Sequence, residues 1–260
     1  MPDTFDLMVA PNGARLTQED HPCLPITAVE LAQTAKACAG AGATSIHAHV
    51  RDHKGKHSLD PTLYADAVRE IAKQTSIPVQ FSTEAAGIFD VPAQRHCLEN
   101  PATRDASVSL REIARAPDSF SDTYRAADEK GVDIQHILYD TTDLQELLDR
   151  FDAGEIPQQS RRAIFVLGRY TPGQVSTPSD LDPFLKTMGT AALNWSVCAF
   201  GQNEQACLMA ALQAGGNARI GFENNRLTPN GTIFPDNAAS VAAFVELADK
   251  ASFSPKAQTP

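Results

Sequence analysis

Thr44-Ser45-Ile46-His47-Ala48-His49-Val50, running into Arg51-Asp52, is a short apolar stretch that carries two histidines two positions apart. In an extended chain successive side chains alternate sides, so His47 and His49 point one way and Ile46, Ala48 and Val50 the other. Two imidazoles on one face can share a metal ion. Zinc, iron, nickel and copper all accept imidazole, and an open zinc site adds a carboxylate and keeps a position for water or substrate. The strand also sits between two helix signals. Upstream, Thr27-Ala28-Val29-Glu30 has capping-box spacing, and Leu31, Ala35 and Cys38 continue a helical face to Ala41-Gly42. Downstream, Asp60-Pro61 offers an N-cap and a first-turn proline for a helix to about Lys73. A strand between two helices is the repeating unit of a parallel α/β fold.

Outward from this unit the alternation repeats about eight times. Strand one is predicted over Phe5 to Ala10, two over Thr44 to Val50, three over Val79 to Thr83 and four over Ala106 to Leu110. Strand five covers Asp133 to Tyr139 and is followed by a helix from Leu144 to Phe151, and strand six covers Ala163 to Leu167. Strand seven is Trp195 to Phe200, a helix runs from Glu204 to Gln213 and stops at Gly215-Gly216, strand eight is Ala218 to Glu223, and Asp236 to Asp249 makes the last helix. Eight such units predict a closed (β/α)₈ TIM barrel, with residues 1–260 as one domain. The strands are apolar almost throughout, as strands buried on both faces must be. A doubly wound open sheet is the alternative, but no G-x-G-x-x-G follows strand one. The tail, Ser252 to Pro260, reads as frayed or packed against a neighbour.

Composition narrows the function classes. A chain of 260 residues, 42% hydrophobic and 21% charged, can bury a large core. A net charge of −10 argues against nucleic-acid and anionic-membrane partners, which call for clustered lysine and arginine. Met1 to Val9 carries no targeting pattern and no run approaches a membrane span, so a cytoplasmic protein is expected. Cys23, Cys38, Cys97, Cys198 and Cys207 are scattered and odd in number, which suggests reduced thiols in packing roles.

Barrel active sites lie at the C-terminal ends of the strands. His47 and His49 fall there on strand two and Glu223 on strand eight. Both strands are even-numbered, and one strand separates them, so the three side chains can converge as metal ligands. A charged glutamate ending an apolar strand is costly unless paired or metal-bound. Other strand ends present Ser82 and Glu84, Ser107, and Arg219 on the face of Glu223, while Asn12 and Arg15 follow strand one. Arg219 needs an anion, either Glu223 or a substrate carboxylate. Ser82 and Ser107 have a plain alternative as helix caps, Arg15 as a surface ion pair, and Arg51-Asp52 as a salt bridge orienting the loop after the histidines. His21, His53, His57 and His96 are read as solvated. His136 is either packed in the core or a ligand. The cavity walls are expected from loops such as Ala85 to Pro92, Arg169 to Val175 and Gly201 to Asn203.

Taken together, Pro11-Asn12-Gly13-Ala14-Arg15, His21-Pro22 with Leu24-Pro25-Ile26-Thr27, His47-x-His49-x-Arg51-Asp52, Gln80-x-Ser82-Thr83 and Arg219-x-Gly221-x-Glu223-Asn224 resemble the β-keto acid cleavage enzymes, of the 3-keto-5-aminohexanoate cleavage type. The resemblance runs over nearly the whole chain in the family's order and spacing. It implies a TIM barrel, usually a homotetramer, with Zn²⁺ held by His47, His49 and Glu223. It also implies the reaction, in which a β-keto acid and acetyl-CoA give acetoacetate and a new acyl-CoA. Arg219 would then stabilise an anionic oxygen, and Ser82 and Ser107 would bind the carboxylate, with serine at the latter position in place of the family's threonine.

Two departures from the pattern concern acids. Founding members carry glutamate where this chain has Arg15 and aspartate where it has Asn224, and an asparagine cannot act as a general base. Glu84 stands where those members have glycine, so it is expected to take over the carboxylate role, paired with Arg15 across the pocket. Arg15 also favours an anionic or neutral keto acid over an amino-substituted one. Two other readings compete. An amidohydrolase-like hydrolase would want its histidine pair after strand one and more histidines on strands five and six. A barrel that binds keto acid or acyl-CoA without turnover would keep the metal site and form no acetoacetate.

Overall fold

The computed structural model describes residues 3–257. Eight parallel strands close into a barrel: β1 Leu7–Val9, β2 Ser45–Ala48, β3 Val79–Ser82, β4 Asp105–Ser109, β5 Asp133–Leu138, β6 Arg162–Leu167, β7 Asn194–Ala199 and β8 Asn217–Ile220, with β8 pairing β1 to complete the ring. The connecting helices are α1 Ala28–Gly40, α2 Pro61–Ala72, α3 Val91–Glu99, α4 Phe120–Glu129, α5 Thr141–Asp152, α6 Asp182–Met188, α7 Glu204–Gln213 and α8 Asn237–Lys250. The fold expected from the eightfold rhythm is the fold found. The signals that start α1 and α2 work as read: Thr27 and Glu30 form a reciprocal capping box, and Asp60 accepts from the Thr62 N–H ahead of Pro61. No sequence boundary was predicted for α3, α4 or α6. The first of these has a legible start, since Asp90 caps it at the Ala93 N–H just before Pro92.

Alternation within each strand creates two interiors. Outward-facing Val9, Ile46, Ala48, Phe81, Val108 and Val197 pack with the helices into the main core. A smaller apolar cluster of Ile137, Ile164, Val166, Cys198 and Phe200 lies on the β5–β7 side. The β2 and β3 strands instead turn His47, Gln80 and Ser82 inward. The barrel thus has one polar and one apolar wall.

Three strand ends differ from expectation, each for a physical reason. The predicted first strand splits: Leu7–Val9 joins the barrel, whereas Asp3–Phe5 pairs in parallel with Phe253–Pro255. The tail from Ser252 is therefore docked on its own chain, with the Lys256 N–H on the Phe5 carbonyl at 2.9 Å; residues 258–260 lie outside the described residues. Strand two stops at Ala48 because the Asn12 side chain takes both backbone groups of His49, accepting its N–H at 3.4 Å and donating to its carbonyl at 2.9 Å. Val50–Arg51 then pairs antiparallel with His57–Ser58. Strand eight stops at Ile220. Gly221 has φ +139°, and a Cβ there would meet the Ala10 carbonyl oxygen at 2.4 Å, so only glycine permits the turn that delivers Glu223.

Candidate active site and metal centre

At the C-terminal end of the barrel a cavity of about 540 Å³ is bordered by Arg15, His47, His49, Ser82, Glu84, Tyr139, Arg219, Glu223 and Asn224, among others. His47 and His49 are both buried, and their Nε2 atoms stand 3.0 Å apart. Glu223 Oε2 lies 3.8 Å from the first and 3.6 Å from the second. In a tetrahedral zinc site with bonds of about 2.0–2.1 Å, neighbouring ligand atoms are roughly 3.3 Å apart, and these separations bracket that figure. Two further observations fit a metal. The Nδ1 of His47 is 2.8 Å from the Gln80 side-chain oxygen, which assigns the proton to Nδ1 and leaves Nε2 bare. Glu223 Oε2 is buried with no hydrogen-bond partner, although its other oxygen is held by Arg219 at 3.2 Å. Burial, reinforced by Arg219, pushes His47 down to about 3, and burial beside His47 and His57 holds His49 well below the usual imidazole range. Both are neutral at ordinary pH, the form a metal binds.

The sequence-derived residues fall into two groups. Arg15, Ser82, Glu84, Arg219, Glu223 and Asn224 border the cavity with the histidines. Arg15 and Glu84 form an ion pair at 2.5 Å across it. Ser82 does not cap a helix: its Oγ accepts from the Glu84 N–H at 3.1 Å, within the loop that follows β3. Asn224 is buried with neither amide atom partnered. Asn12 and Ser107 do not border the cavity. Asn12 is spent on backbone, holding His49 and the Pro25 carbonyl, and Ser107 is fully buried with its hydroxyl unpartnered. Arg51 does not pair with Asp52. It reaches back to the carbonyls of Gly13 and Leu16, fastening the loop that carries Arg15, while Asp52 accepts from the Lys54 and Lys56 N–H groups.

Several contributors were missed. His57, read as solvated, is buried, with its ring 5.2 Å from that of His49 and its Nε2 2.8 Å from the Glu84 carbonyl. His21 is also buried, against Phe222 and the Phe234 carbonyl. The exposed pair His53 and His96 agrees with the sequence reading, and His136 is packed rather than ligating, stacked on Tyr124. Glu204, the first residue of α7, is fully buried and accepts from the Gly221 N–H and the Asn225 amide, so it braces the turn bearing Glu223. Burial pushes its carboxyl up to about 8. Of the loops expected to form the walls, Arg169, Gly173, Gln174 and Gly201 do so, but residues 85–92 are replaced by Arg226, Leu227 and Ile233 after β8.

A (β/α)₈ barrel with two histidines and a glutamate converging beside a buried arginine at the C-terminal end of its strands defines a class of barrel proteins with a candidate metal site. Within that class, the sequence model of the beta-keto acid cleavage enzymes matches residues 6–258, and the chain belongs to that family. It is 25% identical over 244 residues to a 3-keto-5-aminohexanoate cleavage enzyme of Fusobacterium nucleatum subsp. nucleatum, covering 91% of this chain and 88% of that one. It is 26% identical over 260 residues to a 3-oxoadipate:acetyl-CoA acetyltransferase of Cupriavidus necator, covering 94% and 88%. Among solved structures, apo ObcA superposes with a TM-score of 0.68 at 14% identity over 90% of this chain. This chain spans 64% of that protein's length, and the likeness is one of fold.

Proposed function

We propose that the protein converts a β-keto acid and acetyl-CoA into acetoacetate and the acyl-CoA of the remaining chain, with a divalent metal, zinc by preference, held by His47, His49 and Glu223. The observation that carries this reading is the convergence of those three donor atoms within 4.8 Å of one another, beside Arg219, in a barrel of this family. A bound metal supplies Lewis-acid charge for an enolate oxygen. Everything else falls to side chains.

Glu84 is the base of choice, since the acids of the founding members are Arg15 and Asn224 here. Its carboxylate removes a proton from the methylene between the ketone and carboxylate of the substrate, and Arg15 holds it in place. Ser82 donates its free hydroxyl hydrogen to the substrate carboxylate. The carbanion attacks the acetyl carbonyl of acetyl-CoA and expels the coenzyme A thiolate. The thiolate then adds to the original ketone, and the carbon–carbon bond beside it breaks. Acetoacetate leaves as its carbanion and recovers the proton from Glu84, so atoms and charge balance. Arg219, fully buried and charged at every ordinary pH, stabilises the oxyanion at each addition. Asn224, unpartnered and 6% exposed, serves as an amide donor and acceptor for the thioester. A homotetramer belongs to the same reading.

The test is incubation of metal-replete protein with a panel of β-keto acids, with and without acetyl-CoA, followed by detection of acetoacetate and new thioesters. Products that require acetyl-CoA are expected. Hydrolysis without it favours the hydrolase, and ligand binding with no product favours the non-catalytic barrel.

A further inference from the structure

Four arginines and three carboxylates border the catalytic cavity, and three of the arginines are matched: Arg219 with Glu223 at 3.2 Å, Arg15 with Glu84 at 2.5 Å and Arg226 with Asp20 at 3.6 Å. Arg169 is the exception. Among the described residues no carboxylate lies within ion-pair distance of it, and its guanidinium rests over the Phe200 ring, 5.1 Å from the centroid. The chain as a whole carries −10, so an excess cation inside its main cavity runs against the overall charge. A half-buried guanidinium over an aromatic ring keeps its N–H fork free for a planar, bidentate partner such as a carboxylate.

The position of Arg169 supplies the rest. It follows β6, and β6 is the fourth strand round the closed ring from β2 in either direction, so Arg169 and the histidine pair stand on opposite walls. Beside Arg169, on the β5–β7 side, Ile137, Val166 and Phe200 line the cavity with apolar surface. A substrate held at the histidine side by its keto acid end would therefore cross apolar wall and finish at an unmatched cation. We infer that the keto acid accepted here is a 3-oxo dicarboxylic acid, whose methylene chain lies along this wall and whose far carboxylate pairs with Arg169. The inference rests on the keto acid reading above and names the substrate class within it. The phosphates of coenzyme A are the other anions at hand. The pantetheine arm keeps them away from the thioester, and hence outside a cavity whose far wall is Arg169.

The experiment measures binding and turnover separately. Calorimetry with the metal-loaded protein, without acetyl-CoA, compares 3-oxo monocarboxylic and 3-oxo dicarboxylic acids of equal chain length, and the same pairs are then assayed with acetyl-CoA. The expected result is a preference for the dicarboxylic acids of roughly 10- to 100-fold, the usual effect of a hydrogen-bonded charge pair. Arg169→Met should collapse that preference, and Arg169→Glu should move it towards keto acids ending in an ammonium group. Equal treatment of the two acids by the unaltered protein overturns the inference while leaving the cleavage reading intact. So does an Arg169→Met variant that raises KM for acetyl-CoA and keeps the discrimination. Selective dicarboxylate binding with no acetoacetate from any substrate supports the subsite and sinks the cleavage reading.

Discussion

The Nδ1 of His47 lies 2.8 Å from the side-chain oxygen of Gln80, and the amide nitrogen of Gln80 is in turn 2.9 Å from the Asp105 carboxylate at the far end of the barrel. Arg162 continues the line, bridging Asp105 at 3.0 Å and Asp133 at 2.9 Å. An amide can flip, but a carboxylate accepts only from the nitrogen, so Asp105 fixes which end of Gln80 faces the histidine. Gln80→Met should weaken metal binding roughly 10- to 100-fold, as loss of a ligand's orienting partner does. Asp105→Asn should weaken it less, because Gln80 can then sit either way. Competition titration with a chelating indicator reads the affinity, and nitrogen NMR of the metal-free protein reads the His47 tautomer. An unchanged tautomer in both variants would refute the relay.

Glu223 has a second duty besides its free oxygen, as the carboxylate partner of the buried Arg219. Glu223→Gln should therefore lower both bound metal and stability. Removing one partner of a buried pair costs about 3–5 kcal/mol, and the 14% exposure of Glu223 places this pair towards the lower end. Metal content per chain and chemical denaturation are the measurements. Metal content equal to that of the unaltered protein would strike Glu223 from the ligand set.

Glu84 and Arg15 allow activity to be separated from structure. Arg15 is 51% exposed on its side chain, so the pair contributes about 0–1 kcal/mol to folding, and Glu84→Gln should melt close to the unaltered protein. Loss of a general base costs about 10²- to 10⁴-fold in rate. The expected outcome is a variant that keeps its metal and loses turnover by that factor. Turnover within threefold of the unaltered protein would assign the proton transfer elsewhere.

How much of this was legible in the chain depends on the range of the interaction. The barrel follows from local patterns repeated eight times, and the two-residue spacing of His47 and His49 puts them together, but Glu223 reaches them through the Gly221 turn beyond the end of strand eight and not by strand parity. The Arg15–Glu84 pair followed from swapped charges at positions expected to face each other. What escaped depends on contacts distant in sequence. Nothing near Asn12 reveals that its amide will close off the His49 backbone 37 positions away. Nothing near His57 reveals that a two-residue hairpin will fold its ring beneath His49. Strand eight reads as extended to Glu223 because an apolar run looks the same whether or not its glycine turns. Glu204 looks like an ordinary acid in a first helical turn until the Gly221 N–H is seen to need it.

His136 gives a pH dependence that its neighbours do not share. It is fully buried between Tyr124 and Phe151, its Nδ1 lies 2.8 Å from the Arg162 carbonyl, and its Nε2 has no partner. Burial pushes the imidazole down to about 4, whereas in the unfolded chain it titrates near 6.5. Between those values the unfolded chain takes up a proton that the folded one refuses. The contribution is thus fully present above pH 6.5 and is lost as pH falls towards 4, by roughly 3 kcal/mol at about 1.4 kcal/mol per pH unit. His136→Phe removes the titrating group and suits the aromatic pocket, at a cost of about 1 kcal/mol for the lost hydrogen bond. The variant should be the less stable at pH 7 and the more stable near pH 4.5, with the two curves crossing between. Urea denaturation of metal-free protein across this range is the measurement, and parallel curves would show that His136 does not titrate on unfolding.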